Sequence, residues 1–150
     1  MAHKLLTNYL EERQQITKQG TLFSDKVTLT HGVPQGSILG PLLFIVYIDE
    51  NFKKPKHCNI LSYADDTTLY YSSFYPNNLE QCINEDTEIL TNWFNRHGLK
   101  VNASKSQYVT VNPPTTDRVY ETIHIKVNNT TIESSEDIVI LGVTLDKHMK

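Results

Sequence analysis

Apolar residues recur at helical spacing in two parts of the chain. Near the start, Leu5, Leu6, Tyr9 and Leu10 alternate with polar residues in a way that predicts an amphipathic helix. A longer stripe lies within residues 78–97 and consists of Leu79, Ile83, Ile89, Leu90, Trp93 and Phe94. Gly98 follows directly, and glycine commonly ends a helix because it adopts a left-handed backbone without strain. The pattern therefore predicts a second helix that ends near His97.

A continuous apolar run from Leu42 to Ile48 lies between these two helices. Ser37 can cap a helix that begins after it, since its hydroxyl oxygen can accept a free N–H group of the first turn. Pro41 would then lie in the first turn, where a missing N–H donor costs little. We predict a buried helix over residues 38–51, although continuous hydrophobicity is equally compatible with a buried strand.

Short β-prone segments occupy most of the remaining chain. Residues 26–30 alternate polar and apolar, which predicts a half-buried strand in a hairpin with turns at Gly20 or at Ser24 and Asp25. Residues 59–64 and 67–72 flank Asp65 and Asp66, and this arrangement predicts a tight hairpin with two carboxylates at its tip. Three later segments read as strands, residues 107–111, 122–127 and 138–145, the last with Gly142 as a possible bulge.

The order of these elements predicts the fold class. Asn128 and Asn129 form the expected turn between residues 122–127 and a further strand at 130–133. Helices and short strands that are mixed in this way are typical of a two-layer α+β domain. With 150 residues, the chain has room for one compact domain.

Composition excludes several other classes of protein. With 39% hydrophobic and 21% charged residues, wholesale disorder is not expected. No apolar run approaches the ~18 residues that a membrane span requires, and the first residues do not resemble a signal peptide, so we expect an intracellular protein, nuclear or cytoplasmic. Cys58 and Cys82 form no CxxC pattern, which argues against a zinc site or a disulfide scaffold. The net charge of −3 argues mildly against an autonomous nucleic-acid binder.

Asp65 and Asp66 are the most informative pair for chemistry. Two adjacent carboxylates repel each other, and a bound cation keeps both ionised most easily. Their hard oxygen atoms favour Mg²⁺ or Mn²⁺, which commonly bridge carboxylates and phosphate oxygens. Aspartate is also a favoured turn residue, and side chains on consecutive turn residues need not converge, so the dipeptide by itself favours an ordinary acidic turn.

Four sequence blocks in a fixed order place the pair in a wider context. They are HGVPQGSILGPLLF at residues 31–44, YADDT at 63–67, WF followed by GLKVN and KS at 93–106, and LGVTLD at 141–146. Together they closely resemble the palm of the reverse transcriptases of non-LTR, LINE-like retrotransposons, from about Leu5 to Asp146. The resemblance implies a partial domain over residues 1–150. Within it lie a helix and hairpin at 5–30, a palm core at 31–111 with a mixed or antiparallel sheet and helices on one face, and the start of the palm–thumb connection at 120–146.

The resemblance also implies roles for particular residues. Asp65 and Asp66 match the aspartates that hold the metal ions, Mg²⁺ or Mn²⁺, during two-metal addition of deoxynucleotides to a primer 3′-hydroxyl. Lys105 matches a lysine placed near the triphosphate. The substrate-binding residues would be Pro34, Gln35, Gly36, Ser37 and Tyr63. The implied partners are an RNA template, a DNA primer and deoxynucleoside triphosphates, with no membrane.

One departure from the family pattern concerns a further aspartate. Such polymerases carry it on a strand upstream of the GVPQGS block, whereas residues 1–31 contain only Asp25, in an expected turn. We therefore expect fingers, an upstream palm strand and a thumb to be missing, and the chain alone to be inactive. Two alternatives stay open. The first is a non-catalytic retroelement relic that folds only partly, and the second is a small metal-binding or interaction domain in which YADD is an ordinary turn.

Overall fold

The computed structural model of the protein describes residues 2–111 and 123–148. The chain divides into two compact units, Met1–Tyr47 and Ile48–Lys150. The first unit contains helix α1 (Ala2–Leu10), four two-residue strands and most of helix α2 (Leu39–Ile48). The strands are β1 (Gln14–Gln15), β2 (Lys18–Gln19), β3 (Leu22–Phe23) and β4 (Val27–Thr28), with β1 paired to β4 and β2 to β3, both antiparallel.

The first unit confirms the predicted helix near the start and the turn at Gly20, whose φ of 61° is left-handed. The strand predicted at residues 26–30 is also present, as β4, but it is not half-buried. Val27 is exposed, as are all residues of the four short strands. A pair of two-residue strands offers no layer on which an apolar side chain can be covered.

Helix α2 is present as predicted, and Ser37 begins it. The Ser37 Oγ accepts the Gly40 N–H at 3.0 Å, and Pro41 lies in the first turn. A 3₁₀ turn (Asp49–Lys53) continues the helix. The expected burial is wrong for most of the segment, because within α2 only Gly40 and Ile48 are buried, whereas Ile38 just before the helix is 96% exposed. A helix that is apolar on every side needs neighbours on every side, and the described residues cover only part of it.

Among its described residues, the second unit contains helix α3 (Pro76–Arg96), a 3₁₀ turn (Ala103–Lys105) and six strands. Its strands are β5 (Asn59–Tyr63), β6 (Asp66–Tyr70), β7 (Lys126–Val127), β8 (Thr130–Thr131), β9 (Asp137–Ile140) and β10 (Val143–Asp146). They form the antiparallel pairs β5–β6, β7–β8 and β9–β10. Within the described residues no helix is both long and apolar enough to cross a membrane.

Helix α3 confirms the longest predicted helix and its stop signal. The Leu99 N–H donates to the Phe94 carbonyl at 2.9 Å and the Gly98 N–H to the Asn95 carbonyl at 3.2 Å, while Gly98 has a φ of 71°. These two bonds define a Schellman motif, which satisfies carbonyls that the helix end would otherwise leave unpaired. The sequence signal was sufficient here because the motif is entirely local.

A hydrophobic core lies against α3. It consists of Ile123, Ile125, Val127 and Ile132, with Ile83, Val101, Ala103 and Tyr108 packed around them. The Asn84 side chain forms two hydrogen bonds with the backbone of the neighbouring segment. Its Nδ2 donates to the His124 carbonyl and its Oδ1 accepts the Lys126 N–H, both at 2.8 Å. Residues 124–126 are thus bound to helix α3, and α3 also packs against the β5–β6 hairpin.

The later strands differ from the prediction in several places. Of the predicted strands 122–127 and 130–133, only Lys126–Val127 and Thr130–Thr131 are strands among the described residues. Residues 138–145 are not one strand but the hairpin β9–β10, which turns at Leu141 and Gly142 with φ of 51° and 81°. Residues 107–111 form only a single parallel bridge, from Tyr108 to Ser134. The turn at Asn128 and Asn129 is confirmed, with φ of 51° and 62°. Thr122, in the predicted strand 122–127, lies outside the described residues.

The fold is therefore mixed α and β, as predicted, with small antiparallel sheets. Within residues 2–111 and 123–148, the strands form five two-stranded sheets, whereas the prediction implied one layered sheet. The arrangement of a complete polymerase palm stays a prediction.

Candidate functional site

The YADD block forms a tight hairpin, as the sequence predicted. Tyr63 at the end of β5 pairs with Asp66 at the start of β6, so that Ala64 and Asp65 alone make the turn. In the next residue pair away from the turn, the Ser62 and Thr67 hydroxyl groups lie 3.3 Å apart. Both carboxylates are exposed, one in the turn and one on the first residue of the strand.

The two faces of this hairpin differ in burial. Because neighbouring strand residues point to opposite faces, Asp66 shares its face with Tyr63, Leu61 and Tyr70, which are all exposed. Ile60 and Leu69, paired on the other face, are half-buried. The Asp66 carboxylate is thus presented on an open face beside the Tyr63 ring, where a ligand from solution can reach it.

The hairpin turn contains a strained backbone residue, Ala64, whose φ is 52°. For a residue with a Cβ atom this left-handed conformation costs about 1–2 kcal/mol. Glycine removes that strain but loses about 0.5–1 kcal/mol through the flexibility of the unfolded chain. We therefore expect Ala64→Gly to raise the free energy of unfolding by about 0.5–1 kcal/mol, as measured by urea denaturation.

Ala103, which has no left-handed φ, is the matched control for this prediction. Ala103→Gly should lower the free energy of unfolding, because glycine there brings only the entropic cost and a loss of packing. Destabilisation by Ala64→Gly would show that the turn does not hold the left-handed conformation in solution.

The donor atoms of Asp65 and Asp66 fit part of a magnesium or manganese site. Mg²⁺ is commonly bound through one or two carboxylates together with water and substrate phosphates, and not in a cage made only of protein. Within residues 2–111 and 123–148, no group of three or more His, Cys, Asp or Glu side chains is placed to hold a metal ion. The pair could therefore supply at most two ligands, and a complete site would need further oxygen atoms from other groups.

The predicted substrate-binding block forms a well-defined turn in the first unit. The Ser37 N–H donates to the Pro34 carbonyl at 3.2 Å, and Gly36 has a φ of 79°, the value that the third residue of a type II turn requires. Gln35 is exposed at the corner of this turn. Its amide, with both donor and acceptor atoms, is free of any side-chain bond to the described residues.

Two residues outside the block hold it in place. The Tyr9 hydroxyl donates to the Ser37 Oγ, and the Arg13 guanidinium donates to the Gly32 and His31 carbonyls. Ser37 thus serves in the structure as a helix cap that also receives a bond from α1. Sequence analysis missed the roles of Tyr9 and Arg13, because nothing local signals a bond that spans 28 or 19 residues.

Lys105 lies at the end of the 3₁₀ turn and is exposed. The Asn102 Oδ1 caps this turn by accepting the Ser104 N–H at 3.1 Å and the Ser104 hydroxyl at 2.7 Å. No ion pair joins the Lys105 ammonium to Asp65 or Asp66 among the described residues. The structure thus brings the two aspartates and Tyr63 together and places Lys105 on a separate element.

A buried carboxylate, Asp86, was also missed by sequence analysis. It is fully buried in α3 and accepts three backbone N–H groups, from Lys56 at 2.7 Å, His57 at 2.8 Å and Cys58 at 2.6 Å. Burial opposes its ionisation, but the three N–H donors together outweigh burial and hold its pKa below the usual value. Its position between Ile83 and Leu90 in the apolar stripe was the signal that a polar residue faces the core.

Glu85 and Cys58 complete the surroundings of Asp86. Glu85 binds the Lys56 ammonium at 2.6 Å and the His57 ring at 3.0 Å, and the hydrogen bond from Lys56, followed by that from His57, lowers the Glu85 pKa. Burial, with the neighbouring Asp86, raises the pKa of the Cys58 thiol to about 12. Cys58 and Cys82 are both free cysteines, and a thiol with so high a pKa is not a nucleophile at neutral pH.

Comparison with known proteins identifies the class. The sequence profile of the reverse transcriptase (RNA-dependent DNA polymerase) family matches residues 2–145. The chain therefore belongs to the reverse transcriptase family, and the resemblance to non-LTR retrotransposon enzymes is confirmed.

Similar proteins come from mobile elements of Drosophila melanogaster. The probable RNA-directed DNA polymerase from transposon BS is 32% identical, over 97% of this chain and 17% of that protein. The corresponding polymerases of the X-element and of jockey are 28% and 27% identical, each over 97% of this chain and 16% of their own length. The chain thus spans about one sixth of the length of these relatives. No solved structure matches it significantly.

Proposed function

We propose that this chain is part of the palm of an RNA-directed DNA polymerase of a non-LTR retrotransposon. The observation that carries the proposal is the hairpin that presents Asp65 in a two-residue turn and Asp66 on an open face beside it. Family membership and the similar transposon polymerases support the same function. The substrates would be an RNA template, a DNA primer and deoxynucleoside triphosphates.

The residues of the chain would divide the work as follows. Asp65 and Asp66 would hold Mg²⁺ or Mn²⁺, and such ions would supply positive charge to stabilise a primer 3′-hydroxyl and the leaving pyrophosphate. Lys105, exposed on its own turn, stabilises phosphate charge or donates a proton to the pyrophosphate. The turn at Pro34–Ser37 lies against template and nucleotide, where Gly36 lets the backbone approach closely.

The 150-residue chain supplies only part of this machinery. Residues 1–31 contain one aspartate, Asp25, and it lies between β3 and β4 and not on a longer strand. We propose that the third carboxylate belongs to another part of the polymerase, and that residues 31–111 form the palm core of the complete enzyme. Templated primer extension by a longer polypeptide tests the reaction itself.

Metal binding by the two aspartates can be measured on the chain alone. We expect weak binding of Mn²⁺, because one carboxylate ligand is absent, and selective paramagnetic broadening of the amide signals of Ala64, Asp65, Asp66 and Thr67. The double variant Asp65→Asn/Asp66→Asn should lose this broadening. The variant Asp49→Asn, which removes an exposed aspartate from another element, should keep it. Identical titration profiles for the wild type and the double variant would contradict the proposed half-site.

A further inference from the structure

Three consecutive backbone N–H groups converge on one carboxylate just before strand β5. The Asp86 Oδ1 accepts from Lys56, and its Oδ2 accepts from both His57 and Cys58, with all three N···O distances between 2.6 and 2.8 Å. The next residue, Asn59, begins β5, which leads directly to the turn that holds Asp65. A single side chain of α3 therefore fixes the entry to the YADD hairpin.

The chemistry of this contact makes it specific for a carboxylate. Asp86 is completely buried, and a buried charge is costly unless hydrogen bonds satisfy it. An asparagine has the same shape, but one of its oxygen acceptors is replaced by an NH₂ donor that would face one or two N–H groups. On the outer side, Glu85 forms ion pairs with the Lys56 ammonium and the His57 ring, but exposed pairs of this kind contribute little, so Asp86 is the contact that fixes the loop.

The hairpin depends on such a tie because it is only two strands wide. A two-stranded ribbon is marginally stable by itself and needs packing against another element to keep its orientation. At about 3.3 Å per strand residue, the turn at Asp65 lies roughly 20 Å from the contact at Cys58. A rotation of about 10° at that contact would therefore displace the turn by about 3 Å over this length of strand.

We propose that Asp86 is a positioning residue for nucleotide addition: its carboxylate orients the YADD hairpin on α3 and thereby places Asp65 and Asp66. This inference rests on the proposed polymerase function for its consequence, but its structural part stands on the 150-residue chain alone. A displacement of about 1 Å at a reacting centre can lower the rate about 100-fold. A contact that orients the hairpin can therefore change the rate without touching the substrate.

The first measurement uses the wild-type chain. Couplings across hydrogen bonds should connect the amide nitrogens of His57 and Cys58 to the Asp86 carboxyl carbon. In low concentrations of urea, the amide hydrogens of residues 57 and 58 should exchange together with those of β5, as one opening unit. Absent couplings, or opening of β5 independently of residues 57 and 58, would overturn the proposal without any variant.

The second measurement compares Asp86→Asn with Glu85→Gln, its neighbour on the outer side. For Asp86→Asn we expect exchange of the hairpin amides to rise at least about tenfold more than exchange of the core amides of Ile125 and Val127, because the charged hydrogen bonds that are lost hold the entry to the hairpin and not the core. Glu85→Gln should leave hairpin exchange within about twofold, since exposed ion pairs contribute little. A uniform rise throughout the chain would mean a general structural role and would overturn the proposal.

Metal titration separates this inference from the function on which it rests. In Asp86→Asn, the Mn²⁺ concentration for half-maximal broadening at Asp66 should rise several-fold, while Glu85→Gln should match the wild type. A hairpin that loosens without any change in Mn²⁺ binding would overturn the positioning role. If the wild type itself showed no Mn²⁺ binding, the proposed function would fail, and the exchange data would still decide whether Asp86 orients the hairpin.

Discussion

Truncating Trp93 to alanine should lower the free energy of unfolding by about 3–5 kcal/mol, the range that large-to-small changes of buried aromatic residues produce. The Trp93 side chain is 3% exposed. Its ring stacks on the His97 ring at 4.0 Å between centroids and meets the Phe94 ring edge-on at 5.3 Å. Because Trp93 is the only tryptophan, the unfolding of both proteins should be followed by circular dichroism in urea.

Phe74 is the matched control for Trp93, because its side chain is 85% exposed. Phe74→Ala should change the free energy of unfolding by less than about 0.5 kcal/mol, as surface substitutions usually do. A change of that small size for Trp93→Ala would mean that the ring is exposed in solution. It would then favour a role for Trp93 in stacking on a nucleic-acid base.

Local signals account for most of the features that sequence analysis predicted correctly. Gly98 ends α3, Asn128 and Asn129 adopt left-handed conformations in a hairpin turn, and Ser37 caps α2 through the Gly40 N–H. In each case the residues that interact lie within five positions of one another. Their geometry is determined by backbone conformation and capping chemistry, so no knowledge of distant residues is needed.

Features that depend on distant contacts could not be predicted in the same way. The apolar surface of α2 signalled a buried helix, but burial depends on what lies against it, and the described residues leave Leu42, Ile45 and Val46 exposed. For residues 138–145, the apolar pattern concealed a turn because Leu141 adopts a φ of 51°, which is unusual for leucine. Neither fact follows from hydrophobic periodicity.

In the candidate site too, features set by neighbouring residues were predicted and features set by distant contacts were not. The hairpin and its two carboxylates were predicted, since a pair of β-prone segments around two aspartates favours a tight turn. The role of Asp86 was not, because it depends on residues 56–58, nearly 30 positions away in the sequence. Sequence motifs thus identified the residues proposed to meet the substrate, and the structure added the residue proposed to orient them.

The net charge of the chain bears on the proposed polymerase function. A net charge of −3 over 150 residues provides little attraction for a polyanion. The relatives are about six times longer, so the basic surfaces that hold template and primer would belong largely to other parts of a complete polymerase. Affinity for nucleic acid is therefore expected from the complete enzyme and not from this chain.

The prediction with the largest effect concerns polymerisation itself. We expect the 150-residue chain to show no primer extension above background with Mg²⁺ or Mn²⁺ on an RNA template. Asp65 and Asp66 supply two carboxylates, whereas metal ions in the two-metal scheme must stabilise both the attacking and the leaving oxygen. Lys105 cannot replace the missing ligand, because its positive charge repels a cation. Incorporation of labelled deoxynucleotides measures the result.

Joining the chain to an upstream polymerase segment that carries the aspartate strand implied by the family resemblance should restore extension, because such a segment would add the third carboxylate of the proposed site. In the joined protein, Asp65→Ala should abolish the activity, since positioning and electrostatic stabilisation provide nearly all of the rate acceleration in phosphoryl transfer. Asp49→Asn should leave it unchanged. A joined protein that binds Mn²⁺ but never extends a primer would favour the non-catalytic relic. Extension by the 150-residue chain alone, abolished by Asp65→Ala, would instead show that two carboxylates suffice and that the third is not required.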